Sequence, residues 1–237
     1  MFLLDWTRMV IQELPIVKAD IRHYDVLIAT PGPSMKPEYV MSLMKTTEAL
    51  NARGISYHFL NKYSSFVPSA RELTATDSYV HNWMTNRIGS GKFTYNKIIW
   101  IDSDIEWTPE DFLKLYDSEL EVISGLYATT HEGVVAVNMP DPKGRPTKVD
   151  KTMFMLDIEP MKVGGVGFGF VAMKEGVFEN IPRPWFKIRH VKWDEVDFEV
   201  NMGEDYSWCE NAKDQGYEIW VDPTVRVKHH KETIFCL

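Results

Sequence analysis

Three short segments carry side chains whose type and spacing could do chemistry. Asp102-Ser103-Asp104 follows the apolar run Lys97 to Ile101, KIIWI. Carboxylates two residues apart at the carboxyl end of a buried parallel strand lie where open α/β sheets hold ligands. Mg²⁺ and Mn²⁺ favour hard oxygen ligands and pair one or two carboxylates with substrate phosphates, so Asp102 and Asp104 suit a cation held against a diphosphate. The competing reading is a capped turn, with Asp102 near the following helix and Asp104 solvated. The apolar strand in front favours the first.

Gly203-Glu204-Asp205 opens a segment with helical spacing that contains Trp208, Cys209 and Ala212. Acids in a first helical turn gain roughly 0.3–1 kcal/mol from the dipole, which explains them without any function. The functional reading makes Asp205, with Glu204 beside it, a general base on an acceptor hydroxyl, kept ionised by the same dipole. In Val225-Arg226-Val227-Lys228-His229-His230, strand alternation puts Val225, Val227 and His229 on one face and Lys228 and His230 on the other. His229 is thus the better candidate for a metal nitrogen ligand, although most histidines are ordinary surface or core residues.

Weaker signals surround these. Arg71, one turn into its predicted helix, has Glu72 and Asp77 as candidate partners. The glycine-interrupted stretch from Gly164 to Phe170 lacks the following helix and the Lys-Ser/Thr of a phosphate loop. Glycines in a strand instead permit close approach of a ligand or a neighbouring strand. Trp185 and Trp193 are either platforms for stacking a ligand ring or loop anchors.

The elements that must place these groups follow from periodicity and punctuation. Asp25 to Thr30 is a buried strand stopped by Pro31-Gly32-Pro33. Val40, Leu43, Met44, Thr47 and Leu50 fall at helical spacing between Pro37 and Gly54, and Ile55 to Leu60 is a second strand. This βαβ order starts a parallel sheet. A capping-box pattern at Ser69 to Glu72 predicts a helix to about Met84, and Thr108-Pro109-Glu110-Asp111 predicts another start. Glu121 to Tyr127, Val134 to Val137, Gly164 to Met173, Glu218 to Val221 and Thr224 to Lys228 read as strands. Residues 204–215 form a helix stopped by Gly216, and 139–151 and 182–203 read as loops. Residues 1–24 are an amphipathic lead-in. No linker or repeat divides residues 1–237, so a single α/β domain is expected.

Composition narrows the classes. With 237 residues, 44% hydrophobic and 13% aromatic, the chain can bury a large core. A net charge of -8 argues against a broad nucleic-acid-binding face but leaves room for a small basic pocket. The 2 cysteines, Cys209 and Cys236, make no disulfide framework and suit a reducing compartment. Asp5, Arg8 and Glu13 interrupt the first apolar stretch, and no run approaches the roughly 18 apolar residues of a membrane span. A cytoplasmic protein, not integral to a membrane, is expected.

KIIWIDSD followed by GEDYSWCENAKDQGYEIWVDPTVRVKHH resembles the GT-A-type glycosyltransferases, most closely the family 2-like group, over about residues 25–230. The resemblance implies a GT-A, Rossmann-like nucleotide-diphospho-sugar transferase fold with a mostly parallel central sheet flanked by helices. It implies Mn²⁺ or Mg²⁺ on Asp102, Asp104 and His229, and catalysis by Asp205 with Glu204. It places a UDP- or GDP-linked donor against Thr30, Pro31, Gly32, Asn61, Arg71, Asp102 and Ser103. A glycan or other hydroxyl acceptor would lie near Gly165, Gly167 and Trp185, with 139–151 and 182–203 on the acceptor side. One departure is Asn61-Lys62, where the family often has an acid after the second strand. A nucleotidyltransferase is a second reading, weakened by the lack of a glycine- and basic-rich N-terminal signature. A non-catalytic nucleotide- or carbohydrate-binding module is a third.

Overall fold

A computed structural model describes residues 21–79, 85–140, 145–192 and 198–231. In chain order the strands are β1 Arg22–Ala29, β2 Tyr57–Leu60, β3 Phe93–Ile101, β4 Ile105–Glu106, β5 Val122–Leu126, β6 Val134–Pro140 and β7 Pro146–Asp150. They continue as β8 Met161–Val163, β9 Gly165–Val166, β10 Phe170–Lys174, β11 Arg189–Lys192, β12 Glu199–Met202, β13 Ile219–Arg226 and β14 Lys228–His229. The helices are α1 Pro37–Ala52, α2 Val67–Thr76, α3 Pro109–Asp117, α4 Val177–Asn180 and α5 Glu204–Asp214.

Seven strands form the central sheet in the order β2-β1-β3-β10-β5-β13-β8. β1, β2 and β3 are mutually parallel, β10 runs against β3 and β5, and β13 is parallel to β5 with β8 against it. Five strands therefore point one way and two the other. This mixed α/β, mostly parallel sheet flanked by helices is the fold class that the motifs imply. Continuous apolar strands suit a sheet buried on both faces. Along β3, Ile98 and Trp100 enter one core with Phe168, Phe178, Trp185, Phe186 and Trp208, while Ile99 and Ile101 enter the other with Tyr39, Trp107, Phe112 and Leu115. Both cores meet at a backbone that α1 and α3 cover on the second face.

Several boundaries differ from the sequence reading. α3 starts as expected, with Thr108 and Asp111 capping each other reciprocally. α2 does not use the Ser69 box: it begins at Val67 behind Phe66, with Pro68 in its first turn, and ends where Asp77 takes a left-handed conformation. The Pro68 ring favours the early start. Gly164 to Met173 splits into β9, which pairs with β6, and β10, which joins the main sheet. Met139 and Pro140 end β6 and pair with Pro146–Asp150 of β7, and Arg189–Lys192 pairs antiparallel with Glu199–Met202, where the sequence shows no periodicity. One apolar residue in β11, Val191, and two in β12, Val200 and Met202, were too short a pattern to read. Trp193, Cys236 and residues 1–20 of the lead-in lie outside the described residues.

Candidate active site

The carboxyl ends of β1, β2, β3, β5 and β13 open at one edge of the sheet, and the N-terminus of α5 faces them across a cleft of ≈ 590 Å³. Asp102, Ser103, Asp104, Asp205 and His229 all line it, with Pro31, Gly32 and Arg71. Segments far apart in sequence thus meet in one hollow.

The first wall is a braced loop. Thr30 N donates to Leu60 O (2.8 Å) and Gly32 N to Lys62 O (3.0 Å), extending the β1–β2 pairing past both strands. The Asn61 amide donates to Thr30 O (2.7 Å) and Gly32 O (3.1 Å), and the Thr30 and Tyr39 hydroxyls bond beneath. Gly32 has φ 144, a conformation that favours glycine, and an added Cβ would also sit a tight 3.2 Å from Ser103 Oγ. Thr30 is fully buried. Thr30 and Asn61, expected at the nucleotide, instead hold Pro31 and Gly32 in place behind the cleft surface.

Arg71 lies in α2 with 4% exposure and is the cation of the cleft floor. Its guanidinium bridges Asp102 (3.2 Å) and Glu204 (3.4 Å) and stacks 5.3 Å over the Phe168 ring. Burial opposes its charge, but Asp102, Glu204 and Asp205 outweigh it and raise its pKa. Its partners are not Glu72 or Asp77. The buried Nη1 has no partner. Glu204 thus serves as an Arg71 ligand.

Asp205 stands in the first turn of α5, with Oδ1 accepting from Tyr206 N (2.8 Å). Burial, then the neighbouring Glu204, pushes its pKa up to about 6, against the pull of Arg71. The helix start does not hold it low; it is poised near neutrality, as a general base requires.

His229 Nδ1 lies 3.0 Å from Ala128 O, and Nε2 lies 3.1 Å from Asp104 Oδ2. A carbonyl only accepts, so Nδ1 carries a hydrogen, and Nε2 meets the carboxylate either as imidazolium or across a cation. Asp104 raises the His229 pKa. Burial pushes Asp104 up, but His229 and Lys231 (3.5 Å) overcome it and hold the carboxyl low. His230 turns to the other face and meets Glu106 at 2.7 Å, as alternation predicts.

The three expected metal ligands do not form a ready cluster: among the described residues no three His, Cys, Asp or Glu side chains converge to hold a metal. Asp102 is turned to Arg71. Asp104 and His229 still offer one carboxylate and one lone-pair nitrogen, enough for a hard divalent ion that keeps phosphate and water ligands. The donor set fits such an ion as a two-residue site.

No family model matches the chain, and no curated protein does. Among solved structures it is similar to A197 from STIV at 17% identity, covering 92% of this chain and 98% of that one, with a TM-score of 0.49. It is also similar to the catalytic domain of Drosophila beta1,4galactosyltransferase 7 in complex with xylobiose (14% identity, 85% and 65% coverage, TM-score 0.45). GalNAc-T7 with UDP, GalNAc and Mn²⁺ is a third (12%, 88% and 43%, TM-score 0.48).

Two sequence expectations fail here. Trp185 is fully buried, its indole donating to Phe178 O (2.9 Å) and its amide to Glu72, so the ring is a core anchor and offers no face to a sugar. Gly165 packs under Tyr206 and does not line the cleft; Gly167 does. The glycines serve a side chain that was overlooked. A Cβ on Gly167 would come 2.2 Å from Tyr127 Oη, and one on Gly169 2.5 Å from Cζ. Tyr127 fills that space, and its hydroxyl accepts from Gly169 N (3.0 Å). Lys148, Lys231, Tyr206 and Thr129 also line the cleft unpredicted. A tyrosine ending the apolar run VISGLY, opposite a glycine-spaced strand, was the available signal for Tyr127.

Proposed function

We propose that the chain is a metal-dependent glycosyltransferase moving a sugar from a nucleoside diphosphate donor, UDP- or GDP-linked, to an acceptor hydroxyl. The observation that carries this is the meeting of Asp102, Asp104, Arg71, Asp205 and His229 around one cleft at the carboxyl edge of the sheet. Asp104 and His229 would hold Mn²⁺ or Mg²⁺, and Asp102 would turn from Arg71 towards it when the donor enters. When bound, that cation offsets the charge building on the departing diphosphate.

The remaining steps belong to the side chains. Pro31, Gly32 and Ser103 form the rigid wall for the nucleotide. Arg71, with one nitrogen unpartnered, donates to a donor oxygen. Tyr127 accepts from Gly169 N, so its own proton is free for the sugar. Asp205 takes the proton of the acceptor hydroxyl as that oxygen bonds to the anomeric carbon and the diphosphate leaves. A base facing the bond opposite the leaving group gives inversion at that carbon. The test is hydrolysis or transfer with UDP- and GDP-sugars and Mn²⁺, in the native chain and in Asp104→Ala and Asp205→Asn. Metal-dependent turnover lost in both variants is expected; near-normal turnover in both sinks the assignment.

A further inference from the structure

We infer that the acceptor carries a ring-sized apolar group beside its reacting hydroxyl, and that this group fills a second cavity beyond Tyr206. The inference rests on the glycosyl-transfer reading and specifies its acceptor. The second cavity measures ≈ 170 Å³ and is walled by Val191, Val200, Met202, Asn138 and Gly203. Tyr206 and Lys148 line both this cavity and the large cleft, so the two spaces meet along those side chains. Asp205 faces the cleft, while its neighbours Gly203 and Tyr206 face the second cavity. A molecule presenting a hydroxyl to Asp205 and extending away from the donor therefore runs past Tyr206 into that space.

The walls define what fits. Val191 and Val200 are direct partners across the β11–β12 pair, and Met202, opposite Arg189, shares their face; the Arg189 guanidinium is drawn to Asn211 and Asp214 and does not line the cavity. The opposite face carries His190, Lys192, Glu199 and Asn201. The strand pair thus turns its apolar side chains to the cavity, where they remain only half-buried. Asn138 and Lys148 line its margins, and the strand backbone at Asn201, between Val200 and Met202, closes it. A second sugar ring would leave most of its hydroxyls against valine and methionine without partners. An empty apolar cavity of about 150 Å³ accepts benzene, so this one has room for one ring and none for a long chain. An aromatic aglycone is the occupant that matches both size and wall chemistry.

The probe is a pair of acceptors differing only in aglycone: phenyl and methyl glycosides of the same sugar, assayed with Mn²⁺ and the donor that turns over. The phenyl glycoside should show a KM roughly tenfold lower, about 1.4 kcal/mol of binding. Val200→Asn should bring the two KM values together. Equal KM values in the native chain, or a preference that survives Val200→Asn in a folded variant, overturns the inference. Preferred glycosylation of a serine–phenylalanine dipeptide over the phenyl glycoside overturns the aglycone assignment, since the ring would then be a peptide side chain. A second readout needs no turnover: the Met202 methyl NMR signal, assigned with Met202→Leu, should shift on adding phenyl glycoside and stay put with methyl glycoside. A shift without any transfer would keep the cavity's ligand class and reject the enzyme reading. Transfer with no Met202 shift would do the reverse.

Discussion

Asp205 is a carboxylate held at a cost. Its pKa is pushed from 3.8 to about 6, mainly by burial, with Glu204 adding to it. A raised folded-state value means that stability is fullest below the unfolded value near 3.8 and falls as pH rises through about 6. At neutral pH the ionised group costs roughly 2 kcal/mol, allowing for its partial contact with water. Asp205→Asn should therefore melt higher than the native chain at pH 7.5, by about 4–8 °C for a chain of this size. At pH 4 the gap should close. The same variant should lose roughly 10²–10⁴ in kcat if Asp205 is the base. Calorimetry and the transfer assay together separate these effects, and a variant that is less stable at pH 7.5 contradicts the burial argument. In the native chain, log kcat/KM should climb with pH and level off above about 6. A profile flat from pH 5 to 8 removes Asp205 from the proton transfer.

Helix α2 does two jobs with adjacent buried residues. Arg71 points to the cleft, and Glu72, at 3% exposure, receives Phe186 N (3.1 Å), the Trp185 amide and the Arg183 guanidinium (2.9 Å). Glu72 therefore ties residues 183–186 to the helix, and Phe186 in turn supports Arg71 from 6.0 Å. Glu72→Ala should cost roughly 1–3 kcal/mol or more, because it removes the acceptor of the buried Trp185 and Phe186 amides. Urea unfolding measures it, and a loss below about 1 kcal/mol shows the clamp to be incidental. At this scale the sequence was uneven as a guide. The strand-end acids, the α5 start and the His229 phase were legible because each has a local cause: an apolar run, a first-turn acid, a period of two. The Glu72 clamp, Trp185 burial and the Tyr127 niche depend on contacts between segments 40 to 114 residues apart, which no local pattern encodes. Gly167→Ala and Gly169→Ala test the niche: each Cβ would strike Tyr127, and overpacking of about 1–3 kcal/mol should follow.

Across the whole molecule, a chain of net charge -8 builds a cleft in which acids and cations balance locally. Asp102 is answered by Arg71, and Asp104 by His229 and Lys231. That balance makes the two expected ligands interdependent. A nucleoside diphosphate alone brings negative charge towards Asp102, Asp104 and Asp205; a divalent cation alone must displace the positive groups that already satisfy Asp104. Together they cancel each other's penalty, since the phosphates supply the ligands that two side chains leave open. Stabilisation by UDP plus Mn²⁺ should therefore exceed the sum of the two separate shifts in melting temperature. At a hundred times the dissociation constant the joint effect is about 2.7 kcal/mol. Asp104→Ala should abolish the excess while Glu106→Ala, in β4 and outside the cleft lining, should retain it. Strictly additive shifts would mean that cation and nucleotide do not share this cleft, because coupling between two bound ligands is reciprocal and must appear in both.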